Sequence, residues 1–268
     1  DTGSQGFDTL VGIEFLSGSN FNDVLIGDAA DNFLWGVLGS DTISGNEGND
    51  LIVAATGDHL LDGGSGIDTW SAFVFGFNAP SGGVSFSLLL QGAAQDTGQG
   101  LVNATGFENL NGTSFNDVLI GDDGANTLAG VTGGDHLIGG EGNDHLLGDG
   151  TFTIIGPIFL LSHLGFVAGG DDVLEGGEGH DTLIGGGGDD LLSGGEGHDR
   201  FIFGDTIGDL FFDSGHDVIT DFQKKDVIQF KWPGVDDMSD LTIVEQDGNV
   251  VITWGTGADR ITLEDFQG

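Results

Sequence analysis

Apolar positions in this chain recur every nine residues, a spacing that fits neither the 3.6-residue period of a helix nor an unbroken strand alternation. Leu25, Leu34, Ile43 and Ile52 stand nine apart, each two residues past a six-residue polar stretch rich in Gly, Asp and Asn. Trp70, Leu146, Leu183, Leu192 and Phe201 hold the same place in their own stretches. A polar stretch of that kind predicts a turn, and the short apolar run after it predicts a strand of about three residues with its middle side chain inward.

Written out, the unit is Gly-Gly-x-Gly-x-Asp-x-apolar-x. It is complete from Gly63, Gly139, Gly176, Gly185 and Gly194. Degenerate copies begin at Gly18, Gly27, Gly36 and Gly45, and again at Gly112, Gly121 and Gly130. A longer register from Val167 places Asp172, Asp181, Asp190, Asp199, Asp217 and Asp226 at sixth positions, with Gly208 the one exception. Near Asp58 the register slips. Gly12 to Ile52 also matches Gly106 to Leu146 at a constant offset of 94, and Asp1 to Gly6 echoes Asp96 to Gly100. The chain therefore reads as a piece of a longer protein that begins inside one module of a tandem array.

Two units make a coil of about 18 residues, so the pattern predicts an all-β parallel solenoid whose strands stack about 4.8 Å apart and whose turns line up along two edges. Block 1 is expected at 1–71, an inserted β segment at 72–111 with a strand near Val84 to Leu88, and block 2 at 112–150. An apolar insertion follows at 151–166, read as a flap over the roll's side or, second, an aromatic ligand groove. Block 3 is expected at 167–230. After it, Leu241–Val244, Val250–Trp254 and Arg260–Leu263 predict three strands of a C-terminal β cap at 231–268, which an open-ended solenoid needs to cover its last coil.

Charge sharpens this picture. Acidic residues number 44 against five Lys and Arg, for a formal charge of −39, so the compact state repels itself unless cations bind. The same sign makes nucleic acid and anionic lipid poor candidate partners. Disorder, the usual fate of so acidic a chain, conflicts with 38% hydrophobic residues, 20 of them Phe. All five basic residues, Arg200, Lys224, Lys225, Lys231 and Arg260, lie from residue 200 onward. There is no cysteine, no run of about 18 apolar residues to span a membrane, and no signal peptide after Asp1.

Three Gly in the turn allow positive φ and let carbonyls aim at one point, and the sixth-position Asp adds a carboxylate. Such an oxygen-only donor set selects Ca²⁺ over zinc or copper, and over Mg²⁺, which holds its waters. With these motifs the chain resembles the RTX family of hemolysin-type calcium-binding repeat proteins. The resemblance implies a right-handed parallel β-roll with multiple Ca²⁺ between successive same-side turns. It also implies export by the type I secretion machinery, so a secreted, extracellular or cell-surface location.

Carried over residue by residue, its ligands are the carboxylates of Asp8, Asp23, Asp41, Asp50, Asp58, Asp68, Asp117, Asp135, Asp144, Asp172, Asp181, Asp190, Asp199, Asp217 and Asp226. The carbonyls of Gly140, Gly142, Gly177, Gly179, Gly186, Gly188, Gly195 and Gly197 join them. Asn32 and Asn126 replace the acid, so weak or vacant sites are expected there. As ligands, the paired carboxylates are expected to have low pKa values and to be useless as general acids.

No His-Glu-x-x-His, Gly-x-Ser-x-Gly or P-loop motif is present, so the reading is a folding and secretion module rather than an enzyme. The alternatives are a surface adhesin stalk or a carbohydrate-binding module, with a carbohydrate or cell-surface partner. His180, His198 and His216 fall 18 residues apart at fifth positions and are expected to stack along one edge. The plain reading leaves them in solvent; the sharper one makes the edge sensitive to pH or to a transition metal.

Overall fold

A computed structural model describes residues 12–54, 56–72, 80–149, 169–204, 206–207, 210–211, 215–231, 234–254, 259–264 and 266. The apolar insertion read at 151–166 lies outside the described residues, as does Asp8.

The nine-residue unit folds as its pattern dictates. Strands such as Phe33–Trp35, Leu51–Val53 and Thr182–Ile184 are three residues long, with the central side chain inward. One face of the molecule is a continuous sheet of ten parallel strands, from Phe15–Ser17 to Val227–Phe230. Its neighbours pair at 18-residue steps where the repeat is regular, Leu34 beside Ile52 and Ile52 beside Trp70. The opposite face is divided. Val24–Ile26, Thr42–Glu47, His59–Ser65 and Leu101–Thr105 form one parallel set, with Ala94–Asp96 added antiparallel at its edge. Ser85–Ser87 opens a second set that continues through Val118–Ile120, His136–Gly142, Val173–Gly179, Leu191–Gly197 and His216–Ile219. The whole is an all-β parallel solenoid.

The inserted segment is more fully part of the roll than its lost periodicity suggests. The expected strand near 84–88 is Ser85–Ser87, and it pairs forward with Val118–Ile120. The chain then doubles back so that Leu101–Thr105 continues the earlier sheet and Asn109–Asn111 lies between Thr69–Ser71 and Thr127–Val131. The regions read as blocks 1, 2 and 3 thus share one unbroken ten-stranded face.

Inward residues form a single axial core: Leu25, Leu34, Ile43, Ile52, Leu61, Trp70, Leu110, Leu119, Leu128, Leu137, Leu146, Leu174, Leu183, Leu192, Phe201 and Ile219 are all buried in one cluster. One apolar side chain per strand suffices because each touches the equivalents above and below it, as in any stacked repeat.

The roll ends on the three expected strands. Arg260–Leu263 pairs parallel with His216–Ile219, and Asn249–Trp254 and Leu241–Gln246 follow antiparallel. Ile252, Trp254, Ile261 and Leu263 cover the end of the core, with Trp254 edge-on to Phe230 at 5.0 Å.

One expectation fails here. The register from Val167 counts a unit around Gly208, but Leu191 pairs with Val218 and Arg200 with Val227, each 27 residues on. An excursion after Phe203, containing the small antiparallel pair Thr206–Ile207 and Leu210–Phe211, adds half a coil to the 18-residue step.

Because the core is one side chain wide, truncation at its centre is expected to be costly. Leu183→Ala should lower stability by about 2–5 kcal/mol in denaturant unfolding at saturating calcium. Val227→Ala, on a half-exposed outward position, should change it by less than about 0.5 kcal/mol.

Candidate metal centre

The turns between strands are shaped by glycines at their second and fourth positions. Gly177 and Gly179 have φ of +114° and +143°, a region closed to most side chains. The stacking is equally restrictive. A Cβ on Gly195 or Gly197 would fall on the carbonyl oxygen of Gly177 or Gly179 in the preceding coil, so these carbonyls aim along the axis into the next turn. Val37 and Val131 hold the second position with φ of +74° and +94°, a strained conformation for a β-branched residue and one that the surrounding stack enforces.

The sixth-position Asp divides its two oxygens between two tasks. Its Oδ1 accepts the backbone N–H of the sixth residue in the preceding coil. Asp181 accepts from Asp144 at 2.7 Å, Asp199 from Asp181 at 3.0 Å, Asp172 from Asp135 at 2.6 Å, and Asp190 from Asp172 at 2.9 Å. The Oδ2 atoms of Asp41, Asp50, Asp68, Asp135, Asp144, Asp172, Asp181, Asp199 and Asp217 are buried and have no hydrogen-bond partner. Except in the turn of Asp217, each unpartnered oxygen faces its own turn's first glycine: a Cβ on Gly176 would lie 2.5 Å from both Asp181 Oδ2 and the Gly194 carbonyl. Two columns of such oxygens run along the roll, one per edge.

Protein groups alone leave these carboxylates in a poor environment. Burial pushes Asp144 and Asp190 up to about 7, Asp135 to about 8, Asp217 to about 9 and Asp172 to about 10, with neighbouring carboxylates adding to each. Asp41, Asp68 and Asp181 rise to about 6, and Asp50 and Asp199 also rise, chiefly from burial. The low values expected of ligands are therefore not a property of the polypeptide. Apart from His59, whose Nδ1 stands 3.6 Å from Asp41 Oδ2, the described columns offer orphaned carboxylate oxygens beside inward carbonyls, which fit a hard divalent cation of flexible coordination such as Ca²⁺.

The model of the RTX calcium-binding nonapeptide repeat (4 copies) matches residues 11–43, 35–69, 104–135, 129–151 and 167–201, more than half of the chain. The chain belongs to this RTX repeat family. Its repeats bind Ca²⁺ at multiple sites. No curated protein matches it. Among solved structures, the extracellular lipase LipA from Serratia marcescens is 18% identical with a TM-score of 0.30, over 97% of this chain and 39% of the lipase. The AlgE6R3 subunit of the Azotobacter vinelandii mannuronan C5-epimerase is 25% identical with a TM-score of 0.29, over 56% of this chain and 71% of that one. The chain thus spans about two fifths of the lipase's length.

The turns of this RTX roll are not equivalent. Asp23 Oδ2 accepts from Ser19 N–H at 2.6 Å and its hydroxyl at 3.0 Å, and Asp117 Oδ2 accepts from Thr113 N–H at 2.6 Å and its hydroxyl at 3.2 Å. Asn32 and Asn126 are likewise engaged by Asp28 and Asp122 N–H, each at 2.7 Å. Both halves of the duplication therefore start with a coil closed by the protein's own donors. Asp226 is similar, its Oδ2 accepting from Gln223 N–H at 2.6 Å.

Asp58 does not stand in the column. It is exposed, with Oδ1 accepting from Leu101 N–H at 2.9 Å. The place belongs to His59, whose Nδ1 accepts from Asp41 N–H at 3.2 Å. Sequence reasoning also missed Glu108, which takes the clamp position above Asp68 at 2.8 Å after a 40-residue excursion that hides it, and Asp221, which accepts from Gly194 and Gly195 N–H.

Fifth positions form a second ladder that reaches the other way. Asn143 Oδ1 accepts from His180 N–H at 2.8 Å, and His180 Nδ1 from His198 N–H at 3.0 Å, with the two rings 4.9 Å apart. His216 is on the opposite edge, its N–H donating to Asp189 Oδ1 at 2.9 Å, because the half-coil excursion switches edges. The triple stack is thus a pair, and exposed His180 serves the ladder rather than solvent alone.

The raised carboxylate pKa values give the calcium-free chain an unusual pH response. A folded-state value above the ordinary 3.8 means the folded roll holds protons that the unfolded chain has lost. Its stability in chelator should be greatest near pH 4 and fall as pH rises through about 6 to 7, the range of Asp181 and Asp144. Circular dichroism in EDTA should show more β-structure at pH 5 than at pH 8. With saturating calcium the order should reverse, since protons and the ion compete for the same oxygens.

Proposed function

We propose that this RTX repeat chain is a non-catalytic module whose folding is driven by calcium once type I secretion has carried it out of the cell. The observation that supports this most directly is the buried, unpartnered Oδ2 repeated along both edges, in a chain of net charge −39. Folding gathers carboxylates into columns that water no longer solvates, and a cation between turns supplies what the protein does not. At low calcium inside a cell the chain stays unfolded and fit for export, and at millimolar calcium outside it folds.

The 94-residue duplication supports a second reading, a stalk of a surface adhesin, because its two halves share one continuous ten-stranded face and so stack without a linker. A carbohydrate partner would have to be neutral, cationic or bridged by calcium, given the charge.

Circular dichroism in EDTA, followed by titration to millimolar calcium, tests the folding role. The expected result is a disordered spectrum that converts cooperatively to β; a spectrum already rich in β-structure in EDTA at pH 7.5 would refute it. Asp190→Ala combined with Asp199→Ala removes one carboxylate from each edge, and should raise the calcium midpoint and lower the steepness. An unchanged midpoint would show that these two carboxylates do not hold the ion.

A further inference from the structure

The turn that carries Asp172 is spliced from two pieces of chain. Gly148 and Asp149 end the strand His145–Asp149, and the turn resumes at Gly169. The neighbours of Gly148 identify it as the first position. A Cβ there would fall on Asp172 Oδ2 and the Gly185 carbonyl, the same pair of groups that Asp181 Oδ2 and the Gly194 carbonyl present to Gly176. Asp149 is therefore the second residue of the turn, in register with Val131. Its N–H donates to the Gly185 carbonyl at 3.0 Å.

Turns with Gly140, Gly177, Gly186 or Gly195 at this place offer only a backbone carbonyl. Asp149 brings a carboxylate, and it turns inward with 7% of its surface exposed. Its Oδ2 accepts from Gly187 N–H at 3.0 Å, whereas its Oδ1 is buried with no partner. Asp172 Oδ2, in the same turn, is also buried and unpartnered. Asp149 is within electrostatic reach of Asp135, Asp172 and Asp190, so its charge adds to the most crowded stretch of this edge. A buried, unpaired carboxylate beside others is stable only if a cation or a proton neutralises it.

We infer that Asp149 is a side-chain calcium ligand outside the nonapeptide pattern, and that the spliced turn binds its ion with two of its own carboxylates, Asp149 and Asp172. This rests on the calcium reading above. Among the described residues no three His, Cys, Asp or Glu side chains stand together as a chelating group, so carbonyls complete the shell. More carboxylates in a calcium shell raise affinity, so this turn should fill before its neighbours.

The test compares the full chain with Asp149→Asn, which keeps shape and removes charge. Equilibrium dialysis against ⁴⁵Ca²⁺ should show the variant binding one ion fewer, or one ion at least tenfold more weakly, while its circular dichroism at saturating calcium equals the parent's. An equal ion count with equal affinities would overturn the assignment and leave Asp149 a protonated structural group. A parent that binds no calcium would instead sink the calcium reading itself. Should the variant not fold, the parent decides: a calcium-bound crystal structure must place an anomalous peak about 2.3–2.6 Å from an Asp149 carboxylate oxygen, and a fully loaded roll without one refutes the proposal.

Discussion

Everything in this roll depends on how one carboxylate is used twice. The sixth-position Asp fixes the coil beneath it through Oδ1 and presents Oδ2 to the interior of the turn. The first task is structural and needs no ion. The second brings like charges to strand spacing, where two unit charges repel by about 3 kcal/mol at an effective dielectric of 20. Repeated along two edges, that repulsion opposes the packing of the core, so hydrogen bonding and packing specify the fold while a cation or a proton on these oxygens relieves its main electrostatic cost.

The exceptions fit the same logic. Ser19 and Thr113 occupy the second position where the complete repeats have glycine, and their N–H and hydroxyl groups take up the oxygen that those repeats leave free. Asn32 and Asn126 remove the charge altogether.

The apolar period made the strands, their inward residues and the columns of Asp legible before any coordinates, because each unit encodes its own turn and strand locally. The cap strands were legible from alternation between turn residues. What the pattern did not disclose involves spatial neighbours distant in sequence. His59 rather than Asp58 enters the column because the nine-residue register does not slip there: Thr42 pairs with Leu60, so the place 18 residues on from Asp41 is His59. His216 changes edge because an excursion adds half a coil. Asp149 was hidden because a turn interrupted after its second residue no longer reads as a turn.

Those interruptions show how little the clamp needs. The backbone N–H to carboxylate bond spans 18 residues between Asp181 and Asp199, 27 between Asp190 and Asp217, 33 between Val84 and Asp117, 37 between Asp144 and Asp181, and 40 between Asp68 and Glu108. Its length stays between 2.6 and 3.1 Å throughout. Loop-closure cost rises only with the logarithm of length, roughly 0.6 kcal/mol per doubling, so an excursion between clamps is cheap as long as the chain returns with an acid at the sixth position. The repeat therefore tolerates insertion at its turns and forbids it within its strands, where one extra residue would move the single inward side chain out of the core. New side chains, Asp149 among them, enter the calcium edge at such insertions, because there the turn is free to depart from its nine-residue pattern without loss of the stack.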